Sequence, residues 1–136
     1  MSWEGREEEL REAALAAMGR AYAPYSGFRV GAALLGEDGT VHAGCNVENA
    51  SYPAGICAER SALASAVSAG VRRFAAIVVA TEADDPTPPC GICRQALVEF
   101  GTSLPVVSVT TRGRVARWNI AELLPHPFTP EALAQG

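Results

Sequence analysis

The sequence contains no lysine, and all 11 of its basic residues are arginines. Acidic residues number 15, which gives a net charge of −4 and an isoelectric point near 5.1. Proteins that hold a nucleic-acid backbone normally present a basic face. The one local cluster of arginines, Arg112, Arg114 and Arg117, is predicted to form the polar face of a strand. The sequence therefore does not favour a nucleic-acid partner.

Other absences narrow the class of protein further. No apolar run approaches the roughly 20 residues that a membrane-spanning helix requires, so no membrane partner is expected. The first residues are rich in Glu and lack the basic and apolar regions of a signal peptide, so a cytoplasmic location is expected. A glycine-rich phosphate-binding loop is also missing, which argues against a phosphorylated ligand.

What the sequence does contain is sufficient for one hydrophobic core. Its 136 residues are 49% apolar and 19% charged, which is the composition of a globular protein. The length predicts a single domain over residues 1–136, because two separate cores would each be close to the lower limit of stability.

Hydrophobic periodicity and turn residues predict the secondary structure. Helices are predicted over 7–22, 57–69, 91–100 and 121–124, and strands over 28–35, 40–47, 74–80, 106–110 and 114–119. The first two strands flank a Gly-Glu-Asp-Gly turn and predict a hairpin. The order α, β-hairpin, α, β, α, β, β predicts an α/β fold with one mixed sheet and helices on its faces.

Four cysteines in a chain expected to be cytoplasmic favour metal binding or catalysis over disulfides. Cys90 and Cys93 share one face at the start of a predicted helix, and Cys57 lies in the first turn of the preceding helix. Helix N-termini stabilise thiolates, so three thiolates brought together would suit Zn²⁺ and leave a fourth tetrahedral position for water. Buried apolar cysteines remain the ordinary alternative.

A structural zinc site is the second alternative for the cysteines. Such sites usually have four protein ligands, so a non-catalytic, zinc-stabilised interaction module would require Cys45 as the fourth. We interpret Cys45 instead as a small core residue. His42 and His126 are interpreted as surface residues without a role.

Glu59 follows Cys57 by two residues, which can place its carboxylate beside a metal-bound water without ligating the metal. Zinc lowers the pKa of bound water from about 15.7 towards 7. An adjacent glutamate could then accept the proton, leave hydroxide to attack, and return protons to the substrate. Taken alone, Glu59 would be read as a solvated carboxylate on a helix face.

Three thiolates on Zn²⁺ leave a net negative charge, which makes bound water less acidic than a neutral site would. A guanidinium that donates to the sulfurs would offset this effect. Arg60, adjacent to Glu59, is a better candidate for this supporting role than Arg94.

Several motifs together resemble a known family. Cys57-Ala58-Glu59 and, 30 residues later, Pro89-Cys90-Gly91-Ile92-Cys93 resemble the signature of the zinc deaminases. The segments 25–34, 44–50, 56–60 and 93–95 are similar to those of the small, homotetrameric cytidine deaminases. The resemblance extends from about residue 22 to residue 128, with the motifs in the correct order.

This resemblance implies a three-layer α/β/α sandwich around a mixed five-stranded sheet. It also implies hydrolytic deamination of cytidine and deoxycytidine to uridine and deoxyuridine, with release of ammonia, in pyrimidine salvage. A nucleoside is expected as substrate, with weak activity on nucleotides. The implied assembly is a homotetramer whose active sites are shared between subunits.

The resemblance also implies roles for individual residues. Zinc would be bound by Cys57, Cys90 and Cys93, and Glu59 would carry protons. Phe28 would pack against the pyrimidine, and the backbone N–H of Ala58 would bind the base carbonyl. Asn46 and Glu48, taken as a buried amide and a buried carboxylate, would bind the ribose 3′-hydroxyl. Tyr52 and Phe128 would act across subunit boundaries.

Two other functions stay open from the sequence. A related deaminase could act on another aminopyrimidine, such as the nucleoside antibiotic blasticidin S, although Phe28, Asn46 and Glu48 favour cytidine. A nucleic-acid editor is disfavoured by the acidic isoelectric point and by the lack of a basic, aromatic-lined face.

Overall fold

The computed structural model describes residues 2–135 of the chain. Its centre is one five-stranded sheet in the order β2-β1-β3-β4-β5. The strands are β1 (Val30–Gly36), β2 (Val41–Cys45), β3 (Phe74–Thr81), β4 (Pro105–Thr110) and β5 (Val115–Asn119). β3 and β4 are parallel, and every other neighbouring pair is antiparallel. The predicted mixed five-stranded sheet is therefore confirmed.

Helices cover both faces of this sheet. They are α1 (Glu7–Met18), α2 (Ala58–Ser68), α3 (Gly91–Val98), α4 (Ile120–Leu123) and α5 (Pro130–Gln135), with 3₁₀ turns at Trp3–Arg6 and Tyr52–Ala54. Neither 3₁₀ turn nor α5 was predicted. Within residues 2–135, none of the helices combines the length and the apolar character that crossing a bilayer would demand.

The alternation of side chains along the strands divides the core into two clusters. On one face, α1 packs on β1 and β3, and the cluster contains Leu10, Ala14, Met18, Ala33, Leu35, Val78 and Val107. On the other face, α2, α3 and α4 bury Ala32, Leu34, Ala62, Ile77, Val79, Leu97, Val106 and Ile120. β3 is apolar on both sides, as its sequence predicts for a central strand.

Glycine permits both sheet faces to approach their helices closely. A Cβ at Gly31 would lie 2.0 Å from the carbonyl oxygen of Ala14 on α1. On the opposite face, a Cβ at Gly44 would lie 2.4 Å from the amide nitrogen of Ala62 on α2. Because no real Cβ can be accommodated at such distances, these glycines set the spacing between sheet and helices.

The first helix ends earlier than its sequence pattern predicts, at Met18 rather than at residue 22. After a turn, Tyr22 lies beside Val47 in an isolated parallel bridge. The Tyr22 amide donates to the Asn46 carbonyl at 3.0 Å, and the Glu48 amide donates to the Tyr22 carbonyl at 2.8 Å. Pairing with a distant segment thus replaces the last helical turn, and no local pattern shows this.

The structure also corrects the prediction for the arginine-rich segment, residues 112–117. Only Arg117 lies on β5, where it pairs with Glu7 of α1 at 2.6 Å. Arg112 and Arg114 belong to the turn between β4 and β5, and they pair with Asp84 and Asp85 respectively. These two arginines therefore bind the loop that follows β3 instead of forming the polar face of a strand.

Candidate active site

The site is built where two crossover connections leave the sheet. The chain passes from β2 into α2 and from β3 into α3, and a cysteine is the N-cap residue of each helix. Cys57 thus precedes α2 instead of lying in its first turn, and Cys90 precedes α3. Cys93 lies one turn further along α3 and is fully buried. Both helix N-termini direct unpaired N–H groups towards this region, which favours negative charge there.

The three thiols form a cluster that fits a metal ion. The Sγ atoms of Cys57, Cys90 and Cys93 all lie within 4.8 Å of one another, and Cys57 and Cys90 are 3.9 Å apart. A tetrahedral zinc with Zn–S bonds of about 2.3 Å requires sulfurs about 3.8 Å apart. The donor set and its spacing therefore suit Zn²⁺ with one coordination position left open.

Cys45 does not belong to this cluster. It lies half-buried at the end of β2, whereas the grouped thiols come from the starts of α2 and α3. Neither histidine belongs to the cluster either. Among the described residues, the candidate metal centre has three protein ligands, which is the number typical of a catalytic zinc and not of a structural one.

Hydrogen bonds determine the charge of the thiols. The hydrogen bond from the Cys93 thiol, together with smaller contributions from the Arg60 guanidinium and Cys90, lowers the pKa of Cys57 to about 5. The same interaction with Cys57 raises the pKa of Cys93. Arg60 Nη2 lies 3.9 Å from the Cys57 sulfur. The guanidinium thus has the position that its predicted supporting role requires.

Glu59 is the buried carboxylate of this region, with 5% of its surface exposed. It is the second residue of α2. Burial raises its pKa to about 7 because the charged form is poorly solvated there. A carboxyl group that titrates near neutral pH can both accept and donate a proton, which is the property expected of a general acid–base catalyst.

A cavity of about 620 Å³ opens in front of these groups. Its lining includes Cys57, Ala58, Glu59, Arg60 and Cys90. The rest of its lining is mostly apolar or aromatic and includes Tyr25, Phe28, Val30, Val47, Tyr52, Ile56, Val79 and Pro88, with Ser26, Asn46, Glu48, Thr81 and Thr87 among the polar groups. An apolar cavity with a few convergent polar groups is typical of a small-molecule site.

Asn46 and Glu48 line the cavity, but the structure corrects their expected environment. Both are half-buried in the chain, so Glu48 is not the buried carboxylate that the sequence led us to expect. Each also binds backbone: Asn46 Oδ1 accepts from the Val30 amide at 2.8 Å, and Glu48 Oε1 accepts from the Tyr25 amide at 3.0 Å. These residues therefore hold the segment before β1 in place.

The two aromatic residues predicted to act between subunits are both exposed. Tyr52 is 77% exposed at the cavity wall, where its ring meets that of Tyr25 edge to face at 6.3 Å. Phe128 is 58% exposed, and its carbonyl accepts from Gln95. It is not among the residues that line the cavity of its own chain. Its predicted role remains a prediction.

Sequence reasoning missed several residues of the site. Ser26, Thr81, Thr87 and Pro88 line the cavity. Thr81 had a signal, because it is a polar residue that directly follows an apolar central strand. Arg94 had been considered for the thiolates, but its Nε donates to the Pro89 carbonyl at 2.7 Å and its Nη1 to the Leu123 carbonyl at 2.9 Å. Arg94 therefore holds the backbone immediately before Cys90 in place.

Three clustered thiols beside a buried carboxylate, two of the thiols and the carboxylate lining an open cavity on an α/β sandwich, define a metal-dependent hydrolase of the deaminase class. The comparisons agree. The family model described as the cytidine and deoxycytidylate deaminase zinc-binding region matches residues 4–109. The chain belongs to this family, which confirms the prediction of a zinc-binding deaminase domain.

Relatives are similar over most of their length. The cytidine deaminase of Sporosarcina psychrophila is 48% identical over 116 residues, which cover 85% of this chain and 85% of the relative. That of Halalkalibacterium halodurans is 46% identical over 93% of this chain and 96% of its own length. The crystal structure of cytidine deaminase from Burkholderia pseudomallei is 52% identical, covers 89% of this chain and 98% of that one, and superposes with a TM-score of 0.86.

Proposed function

We propose that this chain deaminates cytidine and deoxycytidine hydrolytically, forming uridine or deoxyuridine and ammonia. The observation that carries the proposal is Glu59, a buried carboxyl with a pKa near 7 that lines the cavity beside three thiols spaced for zinc. The family and the named relatives support cytidine as the substrate. One water is consumed, the C4–N4 bond breaks, and a C4–O bond forms.

In this proposal Cys57, Cys90 and Cys93 hold Zn²⁺, which when bound supplies a nucleophile by lowering the pKa of a coordinated water to about 7. Glu59 would accept one proton from the attacking water and deliver it to the ring nitrogen of the base. It would then carry a second proton from the newly added hydroxyl to the amino group, which leaves as ammonia. Its pKa near 7 suits both transfers. Arg60 donates towards the Cys57 sulfur and stabilises the thiolate charge.

The cavity walls orient the nucleoside. Phe28 presents a partly exposed ring for the pyrimidine, and the Ala58 amide, at the free N-terminus of α2, binds the base carbonyl. The 3′-hydroxyl is bound by Asn46 and Glu48. Each has hydrogen-bonding capacity beyond its backbone contacts: Asn46 has a second N–H, and the Glu48 carboxylate has a further lone pair.

We further propose that the whole chain acts as one catalytic domain within a homotetramer, and that Tyr52 and Phe128 complete neighbouring sites. The exposure of both rings, 77% for Tyr52 and 58% for Phe128, supports this, because aromatic side chains are enriched in interfaces between subunits. Light scattering should give four times the chain mass. A monomer that is fully active would contradict the shared site.

The proposed setting is pyrimidine salvage in the cytoplasm. The cytoplasmic location is supported by the chemistry of the cysteines. The thiols of the cluster must stay reduced in order to bind metal, and reducing compartments keep thiols in that state.

The decisive experiment follows the loss of cytosine absorbance and the release of ammonia from cytidine, with zinc-loaded protein. Wild type should be active, and Glu59→Gln should lose about 10²–10⁴-fold in kcat, the usual contribution of a general acid–base. Zinc content should be unchanged in the variant, since Glu59 is not a ligand. Inactivity of folded, zinc-loaded wild type towards cytidine would contradict the proposal and direct the assay to other aminopyrimidines.

A further inference from the structure

The wall of the cavity that carries Phe28 is an irregular segment, residues 24–29, immediately before β1. Two side chains from the segment after β2 bind its backbone. Asn46 accepts from the Val30 amide and donates to the Phe28 carbonyl, both at 2.8 Å. Glu48 Oε1 accepts from the Tyr25 and Ser26 amides at 3.0 and 3.1 Å. The position of the Phe28 ring therefore depends on these two residues.

Ser26 connects the Glu48 carboxylate to the backbone of Phe28. Its hydroxyl donates to Glu48 Oε2, and its oxygen accepts from the Phe28 amide at 3.0 Å. A serine hydroxyl has one hydrogen to donate and lone pairs to accept with, so one side chain can make both bonds. Gly27, between the two residues, has a φ of +69°, a conformation that glycine adopts without strain.

The hydrogen-bonding capacity of Glu48 shows why its contact with the Ser26 hydroxyl matters for a ligand. An ionised carboxylate offers about four lone-pair sites. Oε1 accepts two amide bonds, and Oε2 accepts the Ser26 hydroxyl. The site left for a ligand is therefore on Oε2, the oxygen that Ser26 holds. The same hydroxyl lowers the pKa of Glu48, which keeps the carboxylate charged.

We propose that Ser26 is a positioning residue for substrate binding: its hydroxyl fixes the free lone pair of Glu48 and the backbone of Phe28 in one geometry. The inference rests on the proposed function, because it assigns the ribose hydroxyl to Glu48 and the pyrimidine to Phe28. Ser26 acts through these two residues, so its effect is on affinity and not on the chemical step.

The test compares zinc-loaded Ser26→Ala with wild type on cytidine. Loss of a bond to a charged group, together with a loosened Phe28 amide, should raise KM about tenfold, with kcat within about twofold of wild type. Ser26→Thr retains a hydroxyl and should recover most of the affinity. Ser26 is exposed, so the variant should unfold at the same temperature as wild type.

A matched control is available in the turn between β1 and β2. Thr40 Oγ1 donates to Asp38 Oδ1 at 2.7 Å, which is another exposed hydroxyl bound to a carboxylate, but neither residue lines the cavity. Thr40→Ala should leave both kinetic constants unchanged. An equal rise of KM in Thr40→Ala and Ser26→Ala would show a general effect of losing such a bond, and would overturn the proposal.

A double-mutant cycle separates a positioning role from a structural one. If Ser26 acts through Glu48, its removal should cost little once Glu48→Gln is present, because the oxygen that it positions has lost its charge. Additive costs would overturn the proposal, as would an unchanged KM in Ser26→Ala. The proposed function fails separately, when wild type itself does not deaminate cytidine.

Discussion

The two faces of the sheet are covered by helices in different ways. Against α1, the buried surface is apolar, and the charged residues of that helix, such as Glu7, form ion pairs at its exposed edge. Against α2 and α3, an equally apolar core ends in a region that buries Glu59 and Cys93. The core on the α1 face consists of apolar side chains, whereas the α2 and α3 face also buries polar groups, and burying such groups lowers stability.

The first test of this comparison has the largest expected effect and concerns the contribution of Glu59 to the stability of the metal-free protein. Its pKa is about 7 in the folded chain, against about 4.3 in an unfolded one. Below pH 4 both states are protonated, and the carboxyl has no effect on stability. As pH rises from 4 to 7 the unfolded state loses its proton first, so folding loses up to about 4 kcal/mol, and all of it is lost above pH 7.

Glu59→Gln removes this loss. After chelation of metal, the variant should equal wild type in free energy of unfolding by urea at pH 4 and exceed it by up to about 4 kcal/mol at pH 8. A difference between the two proteins that does not change with pH would show that Glu59 is solvated in the metal-free chain.

The second test adds one methyl group to either face of the sheet, in two separate variants. Gly31→Ala and Gly44→Ala each force a Cβ into helix backbone, at 2.0 Å and 2.4 Å, and each should lower the free energy of unfolding by about 1–3 kcal/mol. Gly31→Ala displaces α1 and should leave zinc content and KM unchanged. Gly44→Ala displaces α2, whose start carries Cys57 and Glu59, and should also weaken zinc retention.

Urea unfolding and zinc content after dialysis provide the measurements. Equal zinc loss in both variants would contradict the separation of the two faces, because damage at α1 would then reach the metal site as readily as damage at α2.

The smallest effect compares two exposed ion pairs of the same geometry. Arg29 makes two bonds of 2.8 Å to Glu82 in the loop that leads to Cys90, and Arg6 makes two bonds of 2.9 Å to Glu9 on α1. Glu82→Gln and Glu9→Gln should each change the free energy of unfolding only slightly, because exposed ion pairs contribute little to stability. Only Glu82→Gln should change KM, by about twofold, because its loop carries Thr87 and Pro88 of the cavity wall.

Added salt should reduce this difference in KM, because it screens exposed charges. If Glu9→Gln changes KM as much as Glu82→Gln, the effect is on general stability and not on the loop beside the site.

The sequence predicted the sheet and its principal helices because their signals are local. The apolar run of β3 and the glycine-flanked turn between β1 and β2 need only neighbouring residues to be read. The C-terminal part of the predicted first helix was wrong because Tyr22 pairs with Val47, 25 residues away along the chain. Arg112 and Arg114 were misplaced for the same reason: their partners Asp84 and Asp85 follow a different strand.

For the candidate site, the residue types and spacing carried most of the information. Cys57, Glu59, Cys90 and Cys93 were named from the sequence as one zinc site, and the structure brings the three thiols within 4.8 Å of one another. Ser26 was not named, although it lies in a motif used for the resemblance. Its importance depends on contact with Glu48, 22 residues later, which spacing along the chain does not reveal.

The sequence by itself determined the class of chemistry, because soft thiolate ligands and an adjacent carboxylate are properties of residue types and their order. Only the tertiary structure decided which groups are charged, free or already bonded. Burial raises the pKa of Glu59, and backbone contacts occupy about half of the hydrogen-bonding capacity of Asn46 and of Glu48. Desolvation and hydrogen-bond partners arise when distant segments pack together, so they exist only in the folded chain.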